Sequence, residues 1–182
     1  ASWNSVRNSK VRQRIADGKL RLRIRDLRNL GPRSEAMLAT VGLLVLSGLR
    51  PYDRATWLLE VLPVMIALPI LWTTRERFPL TSLLYACIFV QAAVLMLGGA
   101  YTYARVPLGF QLQEWLGLDR NPYDKIGHFL QGVVPALLAR EILVRGRYVR
   151  RGRMLAFLVV CVALAVSATY EFIEWGAALL FG

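Results

Sequence analysis

The sequence predicts an all-α fold, a polytopic transmembrane helical bundle of about five spans. The prediction rests on a mean hydropathy of +0.41 and on long apolar runs that recur along the last three-quarters of the chain. Charged residues make up 19% of the 182 residues, below the quarter or so that is typical of soluble domains. A disordered chain is excluded, because such chains are poor in hydrophobic residues, whereas this one has 55%.

Five apolar runs define the predicted spans, at 36–49, 55–72, 78–100, 122–144 and 154–175. The first run is the weakest, because a helix of its length reaches only about 21 Å across a hydrocarbon core of about 30 Å. It must begin earlier, near Leu30, or thin the bilayer, or form a re-entrant segment. Asn121 as N-cap and Pro122 as the first helical residue predict the start of the fourth span.

The connection at residues 101–121 is predicted to contain a short amphipathic helix. Leu108, Leu112, Trp115 and Leu116 share one face at helical spacing. Such a helix is expected in the membrane interface, with the tryptophan at headgroup depth. It is either an ordinary connector, which we favour, or a lid over a site.

The charge distribution predicts the topology. Lys and Arg number 23 against 12 Asp and Glu, a net charge of +11. With the N-terminus in the cytoplasm, eighteen of the 23 lie on the cytoplasmic side, as the positive-inside rule requires. We therefore expect a basic cytoplasmic arm at residues 1–34, a transmembrane domain at residues 35–182, and no nucleic-acid partner.

Within the basic arm, near-helical spacing is shown by Leu20, Ile24, Leu27 and Leu30, whereas residues 19–25 alternate as in a strand. We expect an interfacial helix against anionic lipid headgroups. The alternatives are a solvated segment without a partner and a docking surface for another membrane protein subunit. Beyond these, the lipid bilayer itself is the expected partner.

Several polar side chains lie within the predicted spans and are the candidate site residues. They are Glu60 in the second span, Asp124, His128 and Gln131 on one face of the fourth, and Ser167, Glu171 and Glu174 on one face of the fifth. In the predicted topology they share the outer third of the bilayer, with Glu60 and His128 about 8 and 9 Å deep and Glu171 about four residues from the end of its span. An ionisable group in a span costs several kcal/mol unless it is paired or wetted, so it marks a functional-site hypothesis.

Four uses of these residues remain open. His128, Glu171, Glu174 and Glu60 offer imidazole and carboxylate ligands to a divalent metal ion, the one cofactor we consider. Glu171 and Glu174 repel each other one turn apart and so favour uptake of a proton. His128, oriented by Asp124, suits general-base catalysis, with Glu171 and Glu174 as further catalytic candidates. In the structural alternative, Lys125 pairs with Glu171 or Glu174, and His128 links two helices.

Several motifs occur in order along the chain: WLLE at 57–60, RFPLT at 77–81, GGAYTYA at 98–104, NPYDKIGHF at 121–129 and YEFIEW at 170–175. Together they resemble the YjdF-like family of bacterial inner-membrane proteins over roughly residues 37–180. The start of the fourth span is also similar to VanZ-like membrane proteins. The resemblance implies a place in the bacterial inner membrane but no chemistry, because the family is uncharacterised. It also implies a further acidic segment and a sixth span, which this sequence does not contain.

Two classes of function follow. The first, which we favour from the sequence, is a non-enzymatic accessory or scaffold subunit docking onto a larger membrane complex. It is favoured because no complete catalytic motif is present. The alternative is an outer-leaflet enzyme, or a proton- or metal-handling protein, that uses the His/Glu/Asp cluster near the periplasmic face.

Overall fold

The computed structural model describes the backbone of residues 32–181 and the side chains of residues 34–180. Within this part of the chain all regular structure is helical. The helices are α1 (Pro32–Gly48), α2 (Arg54–Thr74), α3 (Ser82–Tyr101), α4 (Pro107–Leu116), α5 (Tyr123–Arg145) and α6 (Arg153–Phe181). The predicted basic arm lies almost entirely outside the described residues.

Four of the helices, α2, α3, α5 and α6, are long and apolar enough to cross a membrane. The apolar part of α1, Ser34–Gly48, is shorter, as its sequence predicted. The all-α class and a count of about five spans are therefore confirmed. The short helix expected in the connection is also present, as α4.

The start of α5 differs from the prediction. The helix begins at Tyr123, and Pro122, with φ −86° and ψ 4°, occupies the cap position. The Asn121 side chain accepts a hydrogen bond from the Tyr123 N–H at 3.0 Å and donates to the Ala104 and Val106 carbonyls. Asn121 therefore fastens the connection between α3 and α4 to the start of α5 rather than serving as the helical N-cap.

The end of α6 also differs from the prediction. Its 29 residues run to Phe181, because Ala177, Ala178, Leu179 and Leu180 are good helix formers that continue the helix past Gly176. At 1.5 Å per residue the helix is about 43 Å long, longer than the hydrocarbon core. Glu171 therefore lies ten residues from the helix end instead of about four.

The main helix contacts are α2 with α3, α3 with α5, and α5 with α6. One apolar core joins α2 to α3 through Val61, Val64, Ala92, Leu95 and Met96. A second core consists of Met37 of α1 together with Leu80, Leu84 and Tyr85. We call the end of the bundle formed by residues 101–123 the Tyr103 end, and the opposite end, where α5 finishes, the Arg145 end.

The exposure pattern of α6 is the inverse of that of a soluble helix. Its less exposed positions recur on one face and include Ser167, Tyr170 and Glu174, while large apolar side chains such as Leu164 and Phe172 are exposed. Polar groups in spans face the bundle interior, and apolar groups face lipid. α6 thus presents a polar stripe to its neighbours and an apolar surface to the bilayer.

Candidate functional site

Glu60 forms the buried part of the candidate site. Its residue is 8% exposed, and its carboxylate lies about 9 Å along α2 from the helix start. The Tyr170 hydroxyl of α6 donates a hydrogen bond to Glu60 Oε2 at 2.6 Å. The bond joins two residues that are 110 positions apart in the chain. It satisfies the Glu60 carboxylate, which would otherwise be costly in a membrane span.

Tyr103 adds a second hydroxyl beside Glu60. Thr102 and Tyr103 adopt left-handed backbone conformations, with φ 56° and 41°, which turn the Tyr103 ring back toward the helices. The ring fits between Gly98 and Gly127, where an added Cβ atom would press on it. Burial, followed by the charge of Glu60, raises the pKa of Tyr103 above its ordinary value, so the hydroxyl keeps its proton and remains a donor.

His128 stands between two carboxylates. Its Nδ1 lies 3.3 Å from Glu171 Oε1 on α6, and its Nε2 lies 3.5 Å from Asp124 Oδ1 one turn earlier on α5. A neutral imidazole has one N–H group, so only the protonated ring can donate to both oxygens. The three side chains are 43–63% exposed. This part of the site is therefore open rather than sealed inside the bundle.

Glu174 lies near both parts of the site. It is half-buried and within electrostatic range of Glu60, Glu171, His128 and Asp124. Its carboxylate forms no ion pair with any residue whose side chain is described. Two carboxylates, those of Asp124 and Glu171, thus face the imidazole, and those of Glu60 and Glu174 are within electrostatic range of it.

The structure places Glu60, Asp124, His128 and Glu171 within electrostatic range of Glu174, and Gln131 lies on the same face of α5 as His128. Gln131 is 6% exposed and lies one turn deeper than His128. Its Nε2 has no hydrogen-bond partner among the described residues. The alternative pairing of Lys125 with Glu171 or Glu174 is not formed.

A metal ion needs three or more ligands around one point. No such group of His, Cys, Asp and Glu occurs within the part of the chain that the structure describes. His128 forms two separate pairs, one with Asp124 and one with Glu171, on opposite sides of its ring. Metal binding by His128, Glu171, Glu174 and Glu60 therefore stays a prediction, and the geometry favours proton chemistry over it.

The sequence analysis missed two features of this arrangement. Tyr170, the partner of Glu60, gives no signal of its own, because tyrosine is common near the ends of spans. At the Arg145 end, Glu141 accepts hydrogen bonds from the Thr81 N–H at 2.8 Å, the Thr81 hydroxyl at 2.7 Å and the Arg145 guanidinium. The i, i+4 spacing of Glu141 and Arg145 was the available signal for this second cluster.

Comparisons with known proteins agree with this architecture. A family model described as "Predicted membrane protein (DUF2238)" matches residues 34–182. The inner membrane protein YjdF of Escherichia coli strain K12 is 59% identical over 158 residues, which cover 87% of this chain and 75% of that protein. No solved structure matches. The resemblance found in the sequence is thereby confirmed: the chain belongs to the YjdF family of multi-pass inner-membrane proteins, DUF2238.

Proposed function

We propose that this protein holds an acid–base site near the periplasmic face of the inner membrane, where His128 exchanges a proton between its two carboxylate partners and a bound ligand. The observation that carries the proposal is the position of the imidazole: Nε2 faces Asp124 of α5, and Nδ1 faces Glu171 of α6. The periplasmic placement rests on the excess of Lys and Arg at the opposite end of the bundle.

The two sides of the ring give a path for one proton. Starting from the neutral ring with its proton on Nδ1, Nε2 accepts a proton from the protonated carboxyl of Asp124, the most exposed of the three groups, and Nδ1 releases its own proton to the Glu171 carboxylate. The ring ends neutral with its proton on Nε2, and one proton has moved from α5 to α6. Histidine suits this role because its two nitrogens exchange donor and acceptor roles near neutral pH.

Fold stability does not explain why these residues are present. Interhelical polar contacts in membranes contribute about 0.6 kcal/mol on average, so the two His128 pairs, at 3.3 and 3.5 Å, add little to the stability of the fold. Placing ionisable groups in spans is unfavourable unless they serve a site or find partners. An open, nearly stability-neutral cluster is therefore better explained by ligand chemistry than by helix packing.

His128 is the only histidine of the chain, so a histidine-specific reagent reports on this site alone. Diethyl pyrocarbonate acylates a ring nitrogen that has a free lone pair, and the Glu171 carboxylate, 3.3 Å from Nδ1, favours an N–H group over a lone pair at that nitrogen. With purified full-length chain in lipid nanodiscs at pH 7, we expect acylation of His128, followed at 240 nm, to accelerate severalfold in Glu171→Gln.

Glu114→Gln is the matched control, because Glu114 is an exposed carboxylate on α4 outside the site. The control should react at the wild-type rate. The free energy of unfolding of Glu171→Gln should stay within about 1 kcal/mol of wild type. If His128 is unreactive in both wild type and Glu171→Gln, or if Glu171→Gln is much less stable than wild type, the His128–Glu171 pair is a sealed structural pair and the proposal is contradicted.

The second candidate function is the accessory subunit of a larger membrane complex. It is supported by α6, in whose most apolar stretch no residue is fully buried by the rest of the described chain. A photo-crosslinker placed at Phe172, which is 71% exposed, would test it in native membranes. One discrete protein adduct at Phe172, absent at the packed position Ser167, is the result that this candidate requires. Adducts to lipid alone would exclude a protein partner at the Phe172 face of α6.

A further inference from the structure

An apolar groove runs between α2 and α6 and ends at the candidate site. Six residues of α2, from Leu59 to Ile70, and six of α6, from Val162 to Ile173, line a cavity of about 540 Å³. Tyr170 belongs both to this lining and to the hydrogen bond with Glu60. The groove and the polar cluster are therefore continuous.

The groove is long enough for one acyl chain of a lipid. Leu59 and Ile70 are eleven positions apart on α2, which corresponds to about 17 Å along a helix, close to the half-thickness of about 15 Å that one acyl chain spans in a bilayer. Because α2 begins at Arg54, the groove starts about 8 Å along the helix and ends about 24 Å along it, beyond the midplane of a core of about 30 Å.

The polar end of the groove is complementary to a cation. Glu174 lies one turn beyond Tyr170 on α6 and has no ion-pair partner among the described side chains. The charges that act most strongly on it are those of Glu60, Glu171, His128 and Asp124, three of them acidic. A half-buried carboxylate in acidic surroundings favours a positively charged ligand.

From this continuity and charge complementarity, we propose that the site takes a lipid with a primary ammonium in its headgroup, with one acyl chain in the α2–α6 groove and the ammonium on the Glu174 carboxylate. The proposal rests on the proposed function and names the ligand class of the same site. A primary ammonium carries three N–H donors, enough to contact Glu174 and a neighbouring carboxylate at once. A quaternary ammonium has no N–H donor.

The test is native mass spectrometry of the full chain after equilibration with phosphatidylethanolamine, phosphatidylcholine and phosphatidylglycerol of identical acyl chains. We expect phosphatidylethanolamine to be retained about tenfold over phosphatidylcholine, the ratio that one charge-assisted hydrogen bond supplies. Phosphatidylglycerol should be retained least. Soluble glycerophosphoethanolamine should not compete, because it lacks the acyl chain.

Three variants locate the lipid. Glu174→Gln should bring the retention of phosphatidylethanolamine and phosphatidylcholine to near equality. Ala165→Trp, which fills the groove lining, should lower retention of both lipids. Leu164→Trp is the matched control, because Leu164 is 65% exposed on the same helix but does not line the groove, and its lipid preference should equal that of wild type.

Equal retention of the three lipids by the wild-type protein would mean annular lipid only and would overturn the inference, as would a preference that survives Glu174→Gln. The failure of the lipid inference is distinguishable from failure of the proposed function. If the acylation of His128 responds to Glu171→Gln while no lipid preference is found, the acid–base site stands and its ligand is not an amine-bearing lipid.

Discussion

The two ends of the bundle each hold a carboxylate cluster, and the clusters differ in how completely they are satisfied. At the Arg145 end, Glu141 accepts hydrogen bonds from Thr81 and Arg145, and Arg145 also donates to the Pro79 carbonyl at 2.6 Å. At the Tyr103 end, carboxylates outnumber basic groups, and Glu174 has no ion pair within the described part of the chain.

The difference is between a carboxylate that is satisfied within the fold and carboxylates that are not. The Glu141 side chain is 11% exposed, and its hydrogen bonds fasten the start of α3 to the end of α5. Both oxygens of the Glu141 carboxylate accept hydrogen bonds within the fold. The His128 pairs are open, and the charge around them is unbalanced, which is the condition under which a ligand or proton completes the site.

The largest effect is expected at the Arg145 end. Glu141→Ala removes the acceptor of two Thr81 donors and of Arg145, and it should lower the free energy of unfolding by about 3 kcal/mol. The measurement is SDS titration in mixed micelles, with Glu114→Ala as the control carboxylate. A loss no greater than that of the control would show that the two ends do not differ as described.

A smaller loss is expected from the close packing at the Tyr103 end. Gly98→Ala places a Cβ atom against the Tyr103 ring, and overpacking of this kind costs about 2 kcal/mol. Gly132→Ala is the control, since an added Cβ at this α5 position meets nothing within 4 Å and alanine favours the helix. Equal stability of the two variants would mean that Tyr103 does not pack against α3.

The buried hydrogen bond at the Tyr103 end should contribute least. Tyr170→Phe removes the donor to Glu60 and should cost about 1 kcal/mol, in the range of interhelical hydrogen bonds in membranes. Tyr148→Phe is the control, because Tyr148 is 74% exposed outside the spans. The same SDS titration measures both, and a Tyr170→Phe variant as stable as the control would contradict the Glu60–Tyr170 contact.

The spans were predictable from sequence because apolar composition alone decides which segments enter a bilayer. Their ends were less predictable. Nothing in the apolar residues after Trp175 stops α6, and the Asn121 side chain bonds to distant carbonyls that only the tertiary fold brings near it.

The charged members of the candidate site were predictable for a related reason: His128 and the carboxylates are costly in spans and therefore conspicuous. Tyr170 was not, because its role depends on the approach of α2 to α6, which no local pattern encodes. Glu141 was overlooked because a charge near the end of a span is ordinary until its partner, Thr81, is known.

A parallel measurement on Glu174→Gln and Glu141→Gln tests the central claim most directly. Both substitutions replace a carboxylate by an amide of the same shape, and both the free energy of unfolding and the retention of phosphatidylethanolamine over phosphatidylcholine are measured on each protein. We predict that Glu174→Gln loses the lipid preference and keeps wild-type stability, whereas Glu141→Gln keeps the preference and loses stability. Loss of stability in Glu174→Gln with an unchanged lipid preference would contradict the account.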